Sequence, residues 1–284
     1  MAHEHGHGNI QHGHGHGHGH GHGDGGQMAE MLDLDAEVLA DYYREVIGWA
    51  GRLVPAGASV VDLGAGTGTG TIALARQLPG ATLTAVDVDE AMQARLRERA
   101  AEAGVADRVR TVRADLDGDW PELGPADLVW ASAAMHHLAD PARTLGQVRE
   151  VLRPGGVFMI TELEGFPRFL TDPAGAALEE RCQAELGRLR LEAGMHMGLD
   201  WGARLKDAGF ELVGERRFAI ELPAPLSATA RRYGQVTLER TRDRLADRLS
   251  AADVAALDDI VAGLPGRDDL VVRATRDVWI GRRP

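Results

Sequence analysis

The 284-residue sequence predicts an α/β protein with a doubly wound, mostly parallel seven-stranded sheet, helical insertions and an N-terminal helical lid. Three observations carry this prediction. From residue 58 onward, short apolar runs alternate with single stretches of helical spacing, which implies right-handed crossovers between parallel strands. The first apolar run opens directly into a glycine-rich turn that leads into a helix. The hydrophobic fraction is 44%, which suits a globular core, and no apolar run approaches the roughly 18 residues of a membrane helix.

Taken in order, residues 1–27 are a low-complexity segment in which nine histidines fall among the first 22 positions, most of them alternating with glycine. Such a tract has almost nothing to bury and is expected to lack a fold of its own. Residues 28–57 follow as a helical segment, with Met31, Leu32, Val38, Leu39, Tyr42, Val46 and Ile47 at helical spacing and a stop at Pro55 and Gly57. The main domain is predicted over 58–284. Its strands are expected at 58–63, 81–86, 108–113, 126–131, 157–163, 210–222 and 270–281, with helices at 71–78, 90–103 and 141–152 between the first five. Helical insertions are expected at about 165–200 and 224–268. Within the second insertion, Ser250-Ala251-Ala252-Asp253 reads as a capping box that starts a new helix.

Composition narrows the functions available. The net charge of −12 argues against a nucleic-acid partner, which calls for a basic surface. The single cysteine, Cys182, rules out an intrachain disulfide and a cysteine-built metal site, and suits a reducing compartment. With a polar, histidine-rich start and no apolar leader, the expected location is cytoplasmic, without a membrane partner. The alternating imidazoles of the tail can chelate Ni, Zn or Cu. A metal-buffering role, an affinity tag and a neutral repeat all remain open for it.

The turn after the first strand is Asp62-Leu63-Gly64-Ala65-Gly66-Thr67-Gly68. The dinucleotide fingerprint G-x-G-x-x-G fails here, because Thr69 and Thr71 stand where the third glycine belongs in either frame. Asp87 ends the second strand about 20 residues past the loop, where a carboxylate can accept both hydroxyls of a ribose. Asp62, at the end of the first strand, is placed either to attract a cationic group or simply to brace the turn. Asp115 follows the third strand, with Asp117 and Asp119 as neighbours.

The run Val60 to Gly68 resembles motif I of the class I S-adenosylmethionine-dependent methyltransferases. Asp87, Asp115, the Leu152-Arg153-Pro154-Gly155-Gly156 turn and the segment Ala133 to Pro141 fall in register with the same family. The likeness covers about 58–163. It implies a Rossmann-like fold and S-adenosylmethionine as cofactor, bound by Asp62, Gly64, Ala65, Gly66, Gly68, Asp87, Val88, Asp115, Leu116 and Ala131. It further implies that Asp115 meets the adenine amino group and that Asp62 meets the cofactor's ammonium group. The expected activity is methyl transfer to an O, N or C atom of a small-molecule acceptor.

Methyl transfer from a sulfonium needs orientation and a dry site more than a fixed catalytic set. A base is required only when the accepting atom must lose a proton. His136 and His137, just after the fourth strand, are the leading candidates for that work. His196, between two methionines in the first insertion, is a further candidate. Tyr42, Tyr43 and Trp49 are candidates for a lid over the cofactor, and packing explains them equally well. No metal site is expected from the spacing of these residues. Two alternatives stand beside the methyltransferase reading: an inactive methyltransferase-like binding protein whose tail handles metal, and a nucleotide-cofactor oxidoreductase.

Overall fold

The computed structural model describes residues 22–284, with side-chain surroundings from residue 26 onward. Residues 1–21, which hold most of the histidine tract and its expected metal chemistry, lie outside the described residues. Helix α1 (His22–Val38) begins within the segment expected to lack a fold, so residues 22–27 belong to a helix. α2 (Ala40–Gly51) follows almost without a break and buries Tyr42, Val46, Ile47 and Ala50.

The rest of the chain alternates β1 (Ser59–Leu63), α3 (Thr69–Gln77), β2 (Thr82–Asp87), α4 (Glu90–Glu102), β3 (Val109–Arg113), β4 (Ala126–Ser132), α5 (Pro141–Val151) and β5 (Leu152–Leu163). Then come α6 (Pro173–Glu192), α7 (Trp201–Asp207), β6 (Glu211–Leu222), α8 (Ala228–Leu245), α9 (Ala251–Gly263) and β7 (Val272–Arg282). The seven strands form one sheet in the order β3-β2-β1-β4-β5-β7-β6. β1 to β5 run parallel, and β7 is antiparallel to both β5 and β6. The order reverses between β1 and β4, and the carboxyl ends of those strands open the crevice where doubly wound sheets take ligands.

Local chemistry sets most helix starts. Asp89, Asp140, Asp172, Asp200, Ser227 and Ser250 each cap the helix that follows, their side chains accepting first-turn amide hydrogens. Ser250 takes the amide of Asp253 at 3.1 Å, as its capping box predicts. α3 is built differently. Its N-cap is Gly68, left-handed at φ 86° and without a side chain to cap the first turn; the Asp62 carboxyl from β1 meets Thr71 there instead.

Side-chain alternation along the strands splits the core in two. Val60, Leu83, Leu128, Trp130 and Met159 pack on one face against α2, α3 and α8. Val61, Leu63, Val86, Val129, Phe158 and Ile160 pack on the other. Asp62 shares the face of Val60 and pairs across the ladder with Trp130, which carries its carboxyl beneath the first turn of α3.

Candidate active site

The glycine turn between β1 and α3 owes its shape to backbone freedom. Gly64 and Gly66 sit at φ 66° and 52°, a region that side-chain-bearing residues rarely occupy. A Cβ on Gly64 would fall 2.6 Å from that of Ala134, whereas one on Gly66 would meet only the tip of Leu32 at 3.8 Å. The backbone at Gly66 is therefore open to the cleft. Gly68 has a different duty: a Cβ there would lie 2.5 Å from Leu96 Cγ, so this glycine lets α4 pack against the turn and does not line the cleft.

Asp87 stands opposite. One carboxylate oxygen accepts the amide of Gly66 at 2.8 Å and the other accepts that of Asp89 at 2.9 Å. Gln93, itself buried, donates from its amide nitrogen to the carbonyls of Asp87 and Val112, both at 2.8 Å, and so fixes the ends of β2 and β3 together. Val88 beside it is 57% exposed, an apolar surface at the crevice. Asp115 is exposed at the end of β3 and accepts the amide of Asp117 at 3.0 Å. Leu116 is half-buried and packs into the core.

Asp62 is buried and accepts the Thr71 hydroxyl at 2.5 Å. Burial outweighs that hydrogen bond and pushes its pKa up to about 7. Close by, the indole Nε1 of Trp130 is buried without a hydrogen-bond partner. Ala131, expected at the cofactor, is fully buried in the sheet, because it points to the face away from Trp130. The residues that reach the cleft from β4 are Trp130 and Ser132, followed by Ala133 just past the strand end, which takes a positive φ of 52°.

The roof of this cleft is α1. Its Met31, Leu32 and Asp35 face the glycine turn. Asp33 accepts the Thr67 hydroxyl at 2.9 Å and a guanidinium nitrogen of Arg99 at 2.6 Å, which fastens α1 to the turn and to α4. Asp35 accepts Tyr233 Oη at 2.5 Å, Arg276 at 2.9 Å and Tyr43 Oη at 3.2 Å, which fastens it to α8, β7 and α2. Burial holds both phenols well above their usual pKa, so they remain donors. Of the three aromatic candidates for a lid, only Tyr43 lines the cleft. Tyr42 packs edge-on against Phe218, and Trp49 fills the space left by Gly214.

At the carboxyl end of β5, Glu162 is buried and forms part of the wall of two clefts, the one above the glycine turn and a second one toward α7. Its oxygens hold His136, one accepting the His136 amide at 3.2 Å and the other lying 2.6 Å from His136 Nδ1. His136 and His196 both line the second cleft, and the His196 amide donates to the His136 carbonyl at 2.8 Å. His137 turns outward: its residue is exposed, although its ring stacks on His136 with centroids 4.1 Å apart. Burial of the ring, and then the charges of His136, Arg190 and Arg244, push the pKa of His137 down to about 4. Among the described residues no group of three or more His, Cys, Asp or Glu is placed to hold a metal ion.

Sequence reasoning missed Glu162, Asp35, Tyr233 and Arg276. A signal for Glu162 was present: it is an acid inside a strand that is otherwise apolar from Val157 to Ile160. Asp35, Tyr233 and Arg276 come from three distant segments, so only the fold brings them together.

Comparison with known proteins agrees with this geometry. Residues 61–158 match a family model described as a methyltransferase domain. The sarcosine/dimethylglycine N-methyltransferase of Halorhodospira halochloris is 30% identical over 225 residues, which cover 76% of this chain and 74% of that protein. The chain belongs to the S-adenosylmethionine-dependent methyltransferases. The 27-O-demethylrifamycin SV methyltransferase of Amycolatopsis mediterranei is 33% identical, with 55% of each chain covered. The trans-aconitate 2-methyltransferase of Deinococcus radiodurans is 37% identical over 45% of this chain and 56% of its own. The chain spans only about half the length of these last two. Among solved structures, the YcgJ protein of Bacillus subtilis superposes with a TM-score of 0.51 at 17% identity, covering 84% of this chain and 97% of that one. The cyclase SpnF gives a TM-score of 0.51 at 20% identity, covering 85% and 81%. These two likenesses concern the fold.

In this methyltransferase the residues present fit S-adenosylmethionine. The open backbone at Gly66 allows close approach, and Asp87, which accepts the Gly66 amide, has the chemistry that would accept ribose hydroxyls. Val88 and Asp115 are exposed at the ends of β2 and β3 and, like Leu116, do not line the cleft above the glycine turn. Asp62 lies in the cleft wall under the turn, where a cationic amino group would draw its carboxyl toward the charged form that burial disfavours.

Proposed function

We propose that the protein transfers the methyl group of S-adenosylmethionine to a small-molecule acceptor, and that the His136–Glu162 pair serves the acceptor side. The observation that supports this most directly is the position of Glu162 in the wall between the cofactor cleft and the second cleft, with His136 Nδ1 held at 2.6 Å. When bound, the cofactor supplies an electrophilic methyl on a sulfonium. The chain's own residues hold it, exclude water and manage the proton of the acceptor.

A carboxylate on Nδ1 keeps the imidazole proton there, so Nε2 is left as the accepting nitrogen. Such an imidazole can take the proton of a hydroxyl acceptor as its lone pair attacks, or remove that of an ammonium acceptor beforehand and so free the lone pair that attacks. Glu162 does not need to move the proton itself; it orients the ring and stabilises the imidazolium that forms. α1 and its polar fastenings cover the cleft above the glycine turn, which limits water near the reacting atoms. The relatives named above carry names of small-molecule acceptors, which is the class proposed here.

The test is calorimetric titration with S-adenosylhomocysteine, run beside NAD and repeated on Asp87→Ala. Micromolar binding of S-adenosylhomocysteine and none of NAD is expected, with at least about tenfold weaker binding in the variant, about 1.4 kcal/mol. A folded protein that ignores S-adenosylhomocysteine would refute the proposal. Acceptors are then screened with isotopically labelled methyl donor.

A further inference from the structure

Resting on the methyl-transfer reading, we infer that Arg190 and Arg244 form an anion site that holds a carboxylate or phosphoryl group of the acceptor. Arg190, on α6, is only 8% exposed, and its guanidinium stacks over the Phe166 ring at 4.3 Å. Among the described residues it has neither a carboxylate partner nor a side-chain hydrogen bond. Arg244, on α8, is exposed and likewise unpaired among the described residues. The chain has more acids than bases, 43 against 31, and nearby arginines find partners readily: Arg181 with Asp253, Arg232 with Glu30, Arg248 with Glu192. A buried arginine left without an acid is therefore a departure that needs a cause.

Three acids line the cleft that holds Arg190, and none of them pairs with it: Glu164 lies 3.9 Å from Arg217 and Glu221 is exposed. Glu179 lines the same cleft but accepts the amides of Phe169 at 2.7 Å and Leu170 at 3.1 Å. Burial, and then the like charge of Arg244, lower the pKa of Arg190 to about 10. Two cations that repel each other in a partly dry setting are costly to keep together unless an anion enters between them. Two guanidinium groups suit the paired oxygens of a carboxylate or phosphate, and stacking on an aromatic face preorganises one of them.

The site lies next to the chemistry. Phe166 also lines the cleft above the glycine turn and the small cleft that holds Arg244. The cleft that holds Arg190 and the second cleft share Glu164 and Met197, and His136 lines the second one. An acceptor anchored by an acidic group on Arg190 and Arg244 has its other end directed toward the His136–Glu162 wall.

The experiment uses the full chain saturated with S-adenosylhomocysteine and titrates it with inorganic phosphate and, separately, succinate. Wild type is expected to bind at least one of them at roughly 10 mM or below. Arg190→Gln and Arg244→Gln should each weaken that binding about tenfold or more while leaving S-adenosylhomocysteine affinity within about twofold. Preference for phosphate or for succinate tells which acidic group the acceptor carries. Arg190→Gln should also melt no lower than wild type without added anion, because it removes an unpaired buried charge. A purely structural stacking role predicts the opposite. Equal anion binding in wild type and variants overturns the inference, as does no anion binding by a protein that binds S-adenosylhomocysteine normally. If wild type fails to bind S-adenosylhomocysteine, it is the methyl-transfer reading that falls, and the anion site with it.

Discussion

Replacing Asp62 by asparagine should raise stability at neutral pH while weakening cofactor binding. The folded carboxyl titrates at about 7 and its ordinary value is 3.8. Because the folded value is the higher, the folded state holds the proton more tightly, and stability falls as pH rises from about 4 to about 7. At about 1.4 kcal/mol per unit, the full cost above pH 7 is of the order of 4 kcal/mol, of which about 2.5 kcal/mol develops between pH 5 and pH 8. Asparagine has no such titration and still offers an oxygen to the Thr71 hydroxyl. Urea unfolding of wild type and Asp62→Asn at pH 5 and pH 8 measures the difference directly. The advantage of the variant should grow by about 2.5 kcal/mol across that range, while S-adenosylhomocysteine binds more weakly at pH 8. A stability difference that stays flat with pH would show that Asp62 is ionised at little cost, and the argument from burial would be wrong.

Three other perturbations test separate parts of the structure. Gly68→Ala forces a Cβ to within 2.5 Å of Leu96 Cγ at a φ of 86°, and should cost about 1–3 kcal/mol in urea unfolding. Asp35→Ala leaves Arg276, 8% exposed, without its carboxylate, so a loss of about 3–5 kcal/mol is expected. Much of that loss should return in Asp35→Ala/Arg276→Met. Glu162→Gln removes the carboxylate from His136 and should lower kcat by about 100-fold or more for an acceptor that must lose a proton. Its pH–rate profile should change shape while S-adenosylhomocysteine affinity holds, and an unaltered profile would remove the pair from the mechanism.

The strands and helices were readable because each carries a local cause. The burial runs 59–63 and 157–160, the aspartate and serine caps and the glycine turn all act within a few residues, and the chain obeys them. The placing of Gly64, Gly66 and Asp87 around one turn was legible for the same reason, since their spacing fixes a strand–turn–helix and the acid opposite it. Misreadings arose where distant segments decide. Gly68 looks like its neighbours in sequence, but Leu96 on α4 sets its role. Ala131 and Ser132 are adjacent, and only the face of β4 determines that the second reaches the cleft. Tyr42 and Tyr43 are consecutive on α2, so they point about 100° apart, and one packs into the core while the other meets the cleft. Tyr42, Tyr43 and Trp49 are lid candidates in the sequence beside an equal packing explanation, whereas the roof comes from α1, the neighbouring helix. Its polar residues Asp33 and Asp35 have no meaning until Arg99, Tyr233 and Arg276 are set against them.

Trp130 has a further consequence. Its indole nitrogen and the Asp62 carboxylate both border Gly70, at 2.8 and 3.3 Å from where a Cβ would stand, and the nitrogen has no partner to fix its surroundings. The emission of a buried indole shifts with the electric field along its ring, so this tryptophan is a built-in optical reporter of the charge on Asp62. Subtracting the spectrum of Trp130→Phe from that of wild type isolates its signal from the chain's four other tryptophans. The difference spectrum should follow a single titration near pH 7 and should respond again as a cationic ligand settles beside the acid, so the occupancy of the site can be read by light without any label.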